Sequence, residues 1–345
     1  MKRNVRPYLF TSLLLLAAAI ASIAIGPIFI SPGTLLQVLV GGLSRNFAQS
    51  GWTETLADAY TIVFDIRLPH AALIALTGAA LSGSGAAYQG VFRNPLADPY
   101  LIGVASGAGL GAVAAMAIHW PTEWSGMYAI PAAAFLGATL TVIVVYSMAR
   151  IGGSLPTTTL ILAGVAVSAF STSLTSLLMM RSTEELRRAI GWLLGGSIMS
   201  GWEPVLVVLP YIVVGLGALC LSGHALNVLQ FGEEQAQQLG LRAERAKALL
   251  ILAASLTTAA AVAFSGIIGF VGLIVPHIVR ILWGHDYKRL VPLSILGGST
   301  ALLLADLLAR RLLAPQVLPV GIVTALVGAP FFLWVLRRAK DQAYW

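Results

Sequence analysis

Long apolar segments alternate with short polar ones along almost the whole chain. Each has roughly the 17–25 residues that an α-helix needs to cross a bilayer. Prolines, glycines or charged residues separate the segments, as expected where helices end. The pattern therefore predicts ten transmembrane helices. They cover about Tyr8–Ile30, Leu68–Gln89, Tyr100–His119, Tyr128–Ala149, Pro156–Met180, Pro204–Leu221, Ala248–Phe264, Ile267–Trp283, Leu290–Ala309 and Val320–Leu336.

The longer polar interruptions receive separate predictions. Residues 31–66 are predicted to be a mixed loop. Arg181–Glu203 is charged, yet Ile190 and Trp192 within it favour a short helix at the membrane surface. The basic start of the chain would also suit a cleaved signal peptide, but the first apolar segment is long for one.

Composition agrees with the membrane interpretation. Hydrophobic residues make up 58% of the chain and charged residues 10%, against about 45–50% and 25% in soluble domains. No soluble domain fits between the apolar segments, so residues 1–345 are predicted to form one all-α polytopic domain in the lipid bilayer. The single Cys220 excludes an intrachain disulfide.

The distribution of basic residues predicts the orientation. An even number of spans puts both termini on one side, and that side receives 14 of the 21 Lys and Arg residues. Because cytoplasmic loops carry an excess of Lys and Arg, both termini are predicted to be cytoplasmic, in a cell (inner) membrane. The net charge of +7 then reflects topology, and no nucleic-acid partner is expected.

Motifs for catalysis are missing from the sequence. It contains no phosphate-binding GxxxxGK[ST], no HExxH, no paired-cysteine zinc spacing and no GxSxG. We therefore expect neither an enzyme nor a metal site, and no cofactor bound by this chain.

The stretch Asn227–Lys247 is polar and still carries helix signals. Gly232 can open a short helix, Glu233 and Glu234 suit its first turn, and Gly240 follows Leu239 as a stop. The helix is too short to cross a bilayer. It is predicted to be a handle offered to a soluble partner, with a solvated loop helix that has no partner as the alternative.

Small and hydroxyl residues form rows along three predicted spans. The rows of small residues indicate close helix packing in lipid. The hydroxyl row lies on one helix face, which indicates either an aqueous path for a bulky solute or helix packing. The small-residue rows are Gly78, Ser82, Ala86, Gly90 and Gly103, Gly107, Gly111, Ala115; the hydroxyl row is Ser168, Ser171, Thr172, Thr175, Ser176, with Met179 extending that span.

Several charged residues lie in or near the membrane on the side predicted to face away from the cytoplasm, and each can be interpreted in two ways. Asp306 lies inside a span, where an acid is a functional candidate, but Arg310 four residues later can pair with it. The predicted spans contain no second acid with which Asp306 could form a proton or sodium relay. Arg67, Arg310 and Arg311 could contact lipid headgroups or an acidic partner.

Several stretches together resemble the FecCD family of ABC-importer permeases, which includes membrane subunits of vitamin B12, haem and iron–siderophore importers. The matching stretches are Arg67-Leu-Pro, GAALSGSGAAYQGVFRNPLAD (Gly78–Asp98), PYLIGVASGAG (Pro99–Gly109), FGEEQAQQLG (Phe231–Gly240), GIIGFVGLIVPHIVR (Gly266–Arg280), ADLLAR (Ala305–Arg310) and LPVGIVTALVGAPFF (Leu318–Phe332).

The resemblance implies a fold and a set of partners. The fold would be that of a type II importer permease similar to the vitamin B12 importer. A second permease copy, or a similar permease, would complete a central path. Two cytoplasmic ATPase subunits would bind ATP and magnesium, and an extracytoplasmic solute-binding protein would deliver an iron–siderophore, haem or cobalamin. The alternative is an ion- or proton-coupled secondary transporter that works without an ATPase.

The resemblance also implies residue roles within this sequence. Residues 223–247 would be the coupling segment, and the fifth span would line the path. His70 stands where the family often has an arginine, so that contact could be weaker or pH-sensitive. The implied sets are ATPase coupling by Phe231, Gly232, Glu233, Glu234, Ala236, Leu239 and Gly240; a cytoplasmic gate of Asn94, Leu96, Thr157 and Thr158; and binding-protein docking by Arg67, His70, Arg310 and Arg311.

Overall fold

The computed structural model shows an all-α chain, with no strand among the residues that it describes. Those residues are 5–26, 30–43, 54–118, 124–150, 152, 155–180, 183–196 and 201–342. The α-helices are α1 (Arg6–Ala24), α2 (Pro32–Leu43), α3 (Glu54–Thr61), α4 (Leu68–Val91), α5 (Val104–Met116), α6 (Trp124–Ala149), α7 (Thr157–Met179), α8 (Thr183–Leu193), α9 (Trp202–Leu221), α10 (Gly223–Leu229), α11 (Glu233–Gln238), α12 (Ala243–Ser265), α13 (Val271–Trp283), α14 (Tyr287–Leu312) and α15 (Val320–Gln342).

The ten predicted spans all correspond to helices. Seven helical stretches are long and apolar enough to cross a membrane, and they contain α1, α4, α6, α7, α9, α12 and α14. The other three predicted spans are the shorter apolar helices α5 and α13 and the apolar part of α15. The predicted surface helix within Arg181–Glu203 is confirmed as α8, which buries Trp192 and exposes Arg187 and Arg188.

The prediction of a loop for residues 31–66 is wrong for most of the residues that the structure describes there. Helices α2 and α3 occupy much of it, and a π-helix (Ile62–Arg67) joins α3 to α4. Here apolar side chains form a small cluster that is separate from the main core. The cluster includes Leu35, Val38, Ala59 and Val63. The polar residues between them hid this spacing in the sequence. Residues 44–53 lie outside the described part.

Helix α4 lies at the centre of the molecule and packs against α12, α13 and α14. Its small residues permit this arrangement, since a Cβ atom on Gly78 would overlap the carbonyl oxygen of Gly298 in α14. A Cβ on Gly111 in α5 would likewise overlap the carbonyl of Ala133 in α6. These contacts confirm the predicted packing role of the two small-residue rows.

Helix α7 lies at the edge of this arrangement. It packs on α5 and α6, while Leu162, Val165, Phe170 and Leu177 are exposed on its remaining surface. So broad an apolar surface is expected to contact lipid or another protein. The hydroxyl row therefore lies on a peripheral helix.

Candidate coupling site and translocation path

The predicted short helix within the coupling segment is present as α11, and glycines define both of its ends. Gly232 precedes it with a φ of +103°, and Gly240 follows with a φ of +84°. At the C-terminal end, the Gly240 N–H donates to Gln237 O and the Leu241 N–H donates to Ala236 O. These two bonds form a Schellman motif, which stops the helix and satisfies its last carbonyls.

Helix α10 anchors the segment to the membrane helices. Leu226 and Leu229 are buried, and the Asn227 amide donates to Asp286 Oδ1 at 2.7 Å while accepting from Tyr287 N–H at 2.8 Å. The Gln230 amide donates to Gly90 O at 2.9 Å. The coupling segment is therefore tied to the end of α4 and the start of α14, and a force on it can reach both.

Exposure divides the predicted coupling residues into two groups. Ala236 is completely buried and seats α11 on the body of the protein. Phe231 and Leu239 are 64% and 65% exposed, and Glu234 is exposed as well. The segment thus presents an apolar pair and an acid to its surroundings, a surface suited to a protein partner.

Glu233, unlike Glu234, is half-buried. Its carboxylate accepts from the Lys247 ammonium at 2.7 Å, and the side chain is 42% exposed. Partial burial raises the pKa of Glu233, but the hydrogen bond and charge of Lys247 outweigh it, so the pKa lies below its usual value. Glu233 is therefore an internal contact as well as a candidate partner contact.

The first predicted gate element is a tight turn after α4. Arg93 has a φ of +49°, and the Asn94 side chain accepts from Leu96 N–H at 2.9 Å. Asp98 then accepts from Tyr100 N–H at 2.8 Å and opens a 3₁₀ turn. Burial raises the pKa of Asp98 to about 6. Side chains thus fix the turn, leaving Asn94 exposed and Leu96 half-buried.

The second predicted gate element begins α7. Pro156 precedes the helix, Thr157 is half-buried and Thr158 is exposed. Among the described residues, no hydrogen bond joins these threonines to Asn94 or Leu96. The gate role of all four residues stays a prediction.

The predicted hydroxyl row is divided between two environments. Ser171 and Thr175 are buried, and Ser168 accepts from the Ser106 hydroxyl at 3.1 Å. Thr172 and Ser176 are exposed on the outer surface of α7. Met179 is half-buried at the end of α7.

Packing therefore accounts for part of the row. The other two hydroxyls, Thr172 and Ser176, remain exposed and are not used in packing. The path-lining role stays a prediction.

Two of the predicted docking arginines are buried and cap α1. Arg67 Nη1 donates to Ile23 O at 2.8 Å and to Ala24 O at 3.0 Å. Arg310 donates to Ser22 O and, at 2.8 Å, to Ser22 Oγ. A cation at a helix C-terminus satisfies its free carbonyls and its dipole. In this conformation both guanidinium groups are thus committed to α1.

The predicted Asp306–Arg310 pair is confirmed at 2.9 Å. The sequence did not reveal the third member, His70, whose Nε2 lies 2.9 Å from the other carboxylate oxygen of Asp306. The residue that departs from the family pattern is therefore a partner of the buried acid. Arg311, by contrast, is exposed.

The two arginine environments predict different effects of substitution. We expect Arg67→Gln to lower the melting temperature of the purified protein, because losing two hydrogen bonds from a charged donor costs about 1.5–3 kcal/mol each. Arg311→Gln should leave the melting temperature unchanged, since the side chain is exposed. Thermal unfolding in detergent measures both, and equal effects would contradict the capping role of Arg67.

A domain of apolar, membrane-length helices with a polar, glycine-bounded helix outside them is the arrangement expected of a membrane transport subunit. Its family is shown by comparison. The chain belongs to the FecCD transport family, which matches residues 14–338. It is the membrane permease subunit of an ABC importer.

Similar proteins cover nearly all of the chain. A cobalamin import system permease of Halobacterium salinarum is 47% identical over 86% of this chain and 78% of its own length. A hemin transport system permease of Yersinia pestis is 39% identical over 88% of this chain and 91% of its own. A solved inward-facing structure described as a metal-chelate type ABC transporter matches with a TM-score of 0.80 and 30% identity, over 96% of this chain and 98% of that one.

Proposed function

We propose that this permease carries a metal chelate into the cytoplasm, driven by two separate ATPase subunits and supplied by an extracytoplasmic solute-binding protein. The observation that carries the proposal is the coupling segment. It exposes Phe231 and Leu239 while Ala236 and the α10 anchors hold it on the membrane helices. The proposal places the segment and both termini in the cytoplasm, as the excess of basic residues on that side supports.

The proposed assembly contains two permease copies. The broad exposed surface of α7, with Thr172 and Ser176 among its apolar residues, supports this arrangement. Two copies facing each other through α7 would bring these hydroxyls to a central path. A similar permease in place of the second copy would form the same central path.

The proposed substrate class is the large iron–siderophore, haem or cobalamin chelate. Similar proteins include a cobalamin import system permease and a hemin transport system permease, which supports this class. Among the described residues no group of three or more His, Cys, Asp or Glu could hold a metal ion. The proposed ligand is a complete metal chelate.

Uptake into proteoliposomes tests the energy source. We expect the permease, reconstituted with its ATPase and solute-binding protein, to take up at least one of three probes when ATP is present: cyanocobalamin, haemin or ferrichrome. The permease alone should transport none of them under a proton or sodium gradient. Uptake by the permease alone under such a gradient would instead establish the secondary-transporter alternative.

A further inference from the structure

Lys247 carries a buried ammonium group that the roles above do not explain. It lies in the second turn of α12 and is only 2% exposed. Its Nζ atom donates to Glu233 Oε1 at 2.7 Å and to Leu155 O at 2.9 Å, and lies 3.6 Å from Glu244 Oε1. The charge is therefore compensated by two carboxylates and one carbonyl.

These partners belong to three segments, one of which lies 92 residues from Lys247 in the sequence. Glu233 begins the coupling helix α11, Glu244 shares α12 with Lys247, and Leu155 lies just before α7. One ammonium group thus joins the helix that would contact the ATPase to the segment that would carry the gate.

In the segment before α7, both backbone polar groups of Leu155 are hydrogen-bonded to α12. While the Leu155 carbonyl accepts from Lys247, the Leu155 N–H donates to Glu244 Oε2 at 3.1 Å. Leu155 itself is 3% exposed. Because Thr157 follows two residues later, the backbone entering α7 cannot move independently of α12 while these bonds persist.

The other predicted gate element lies beside the same cluster. A Cβ atom on Gly232 would be 3.4 Å from the Arg93 guanidinium group, so Arg93 reaches the start of α11. Its positive charge acts on Glu233 and helps to lower the pKa of that carboxyl. Arg93 directly precedes Asn94, so the turn that carries the first predicted gate element lies close to the start of α11.

Stability alone is a poor reason for this arrangement. A buried ion pair often contributes no more stability than apolar side chains of similar volume, because desolvation offsets the attraction. Breaking such a pair is costly, however, since it leaves a buried charge unpaired. The pair therefore resists separation of the segments that it joins.

We propose that Lys247 is a positioning residue that makes α11, the start of α12 and the segment before α7 move as one body. A push of the ATPase on α11 would then reach the gate through the Lys247 bonds. The inference rests on the proposed docking of an ATPase at α11 and adds the route by which its movement is transmitted.

Hydrogen–deuterium exchange on the full permease–ATPase complex tests the proposal. Exchange is compared between the nucleotide-free and the ADP–vanadate-trapped complex, in peptides that cover residues 155–160 and 233–239. In the wild type we expect trapping to change exchange in both peptides. In Lys247→Met the change at 233–239 should persist, while the change at 155–160 should fall about tenfold, as expected for losing a hydrogen bond to a charged group.

A second variant keeps the test valid if Lys247→Met does not fold. Glu233→Ala leaves Lys247 bonded to the Leu155 carbonyl but removes the carboxylate that joins α11 to Lys247, so residues 155–160 should again lose their response. Gln237→Ala, an exposed and uncharged position on α11, should respond like the wild type.

The outcomes separate this proposal from the proposed function. A wild-type response at 155–160 in Lys247→Met or Glu233→Ala would overturn the transmission role alone. An absent response at 233–239 in the wild type would overturn ATPase docking at α11, and the transmission role with it.

Discussion

Leu239→Gln should lower ATP-driven uptake about tenfold or more and reduce the amount of ATPase that co-purifies with the permease. Leu239 is 65% exposed in the isolated chain and ends the coupling helix. Full burial of a leucine contributes about 1.5–3 kcal/mol, and about 1.4 kcal/mol corresponds to a tenfold change in affinity. Replacing the leucine by an amide of similar size removes that contribution.

The matched control is Leu313→Gln. Leu313 is 56% exposed and directly follows α14, on the side opposite to the coupling segment. This substitution should change neither uptake nor ATPase co-purification. If Leu239→Gln behaved like this control, α11 would not be the ATPase contact.

Gly78→Ala should destabilise the protein strongly, although it adds only one methyl group. The new Cβ would overlap the Gly298 carbonyl oxygen, and that backbone atom cannot rotate away as a side chain can. The central pair of helices, α4 and α14, would have to separate. Overpacking costs about 1–3 kcal/mol, and for a chain of this length we expect the melting temperature to fall by about 1–4 °C, with a lower yield.

The control is a second glycine-to-alanine substitution, at a position where the added Cβ atom meets no neighbouring atom. Gly217 lies inside α9, and a Cβ atom there would meet nothing within 4 Å. Gly217→Ala should leave the melting temperature equal or slightly raised, because alanine favours a helix over glycine by about 0.5–1 kcal/mol. A larger loss of stability in Gly217→Ala than in Gly78→Ala would contradict the packing described for α4 and α14.

Features with a local cause were predictable from sequence. Apolar length alone indicates the ten spans, since crossing a bilayer demands about 20 apolar residues. The ends of α11 follow from Gly232 and Gly240, whose positive φ angles suit glycine. The Asp306–Arg310 pair depends only on a spacing of four residues along one helix.

Features that join distant segments were not predictable in this way. The partners of Lys247 lie 14 and 92 residues away, and no periodic pattern connects them. Arg67 is a similar case, because its carbonyl partners on α1 are 43 and 44 residues earlier in the chain. The position of Arg67 at the start of a span and the family resemblance suggested docking, and neither could reveal its bonds to the end of α1.

The hydroxyl row shows the limit of periodicity in another form. The spacing correctly places its members near one helix face, but burial separates Ser171 and Thr175 from Thr172 and Ser176. Which neighbours a face meets is decided by the packing of α7 on α5 and α6. Sequence spacing does not contain that information.

Labelling of a single cysteine at the end of α11 reports whether the bound ATPase covers this helix. Leu239→Cys is made in a Cys220→Ser background, which leaves one thiol in the chain. A water-soluble maleimide should label it rapidly in the isolated permease and at least about tenfold more slowly once the ATPase is bound, as expected for a residue transferred into an interface. Equal labelling rates with and without the ATPase would contradict the claim that this chain is an importer permease coupled to its ATPase through α11.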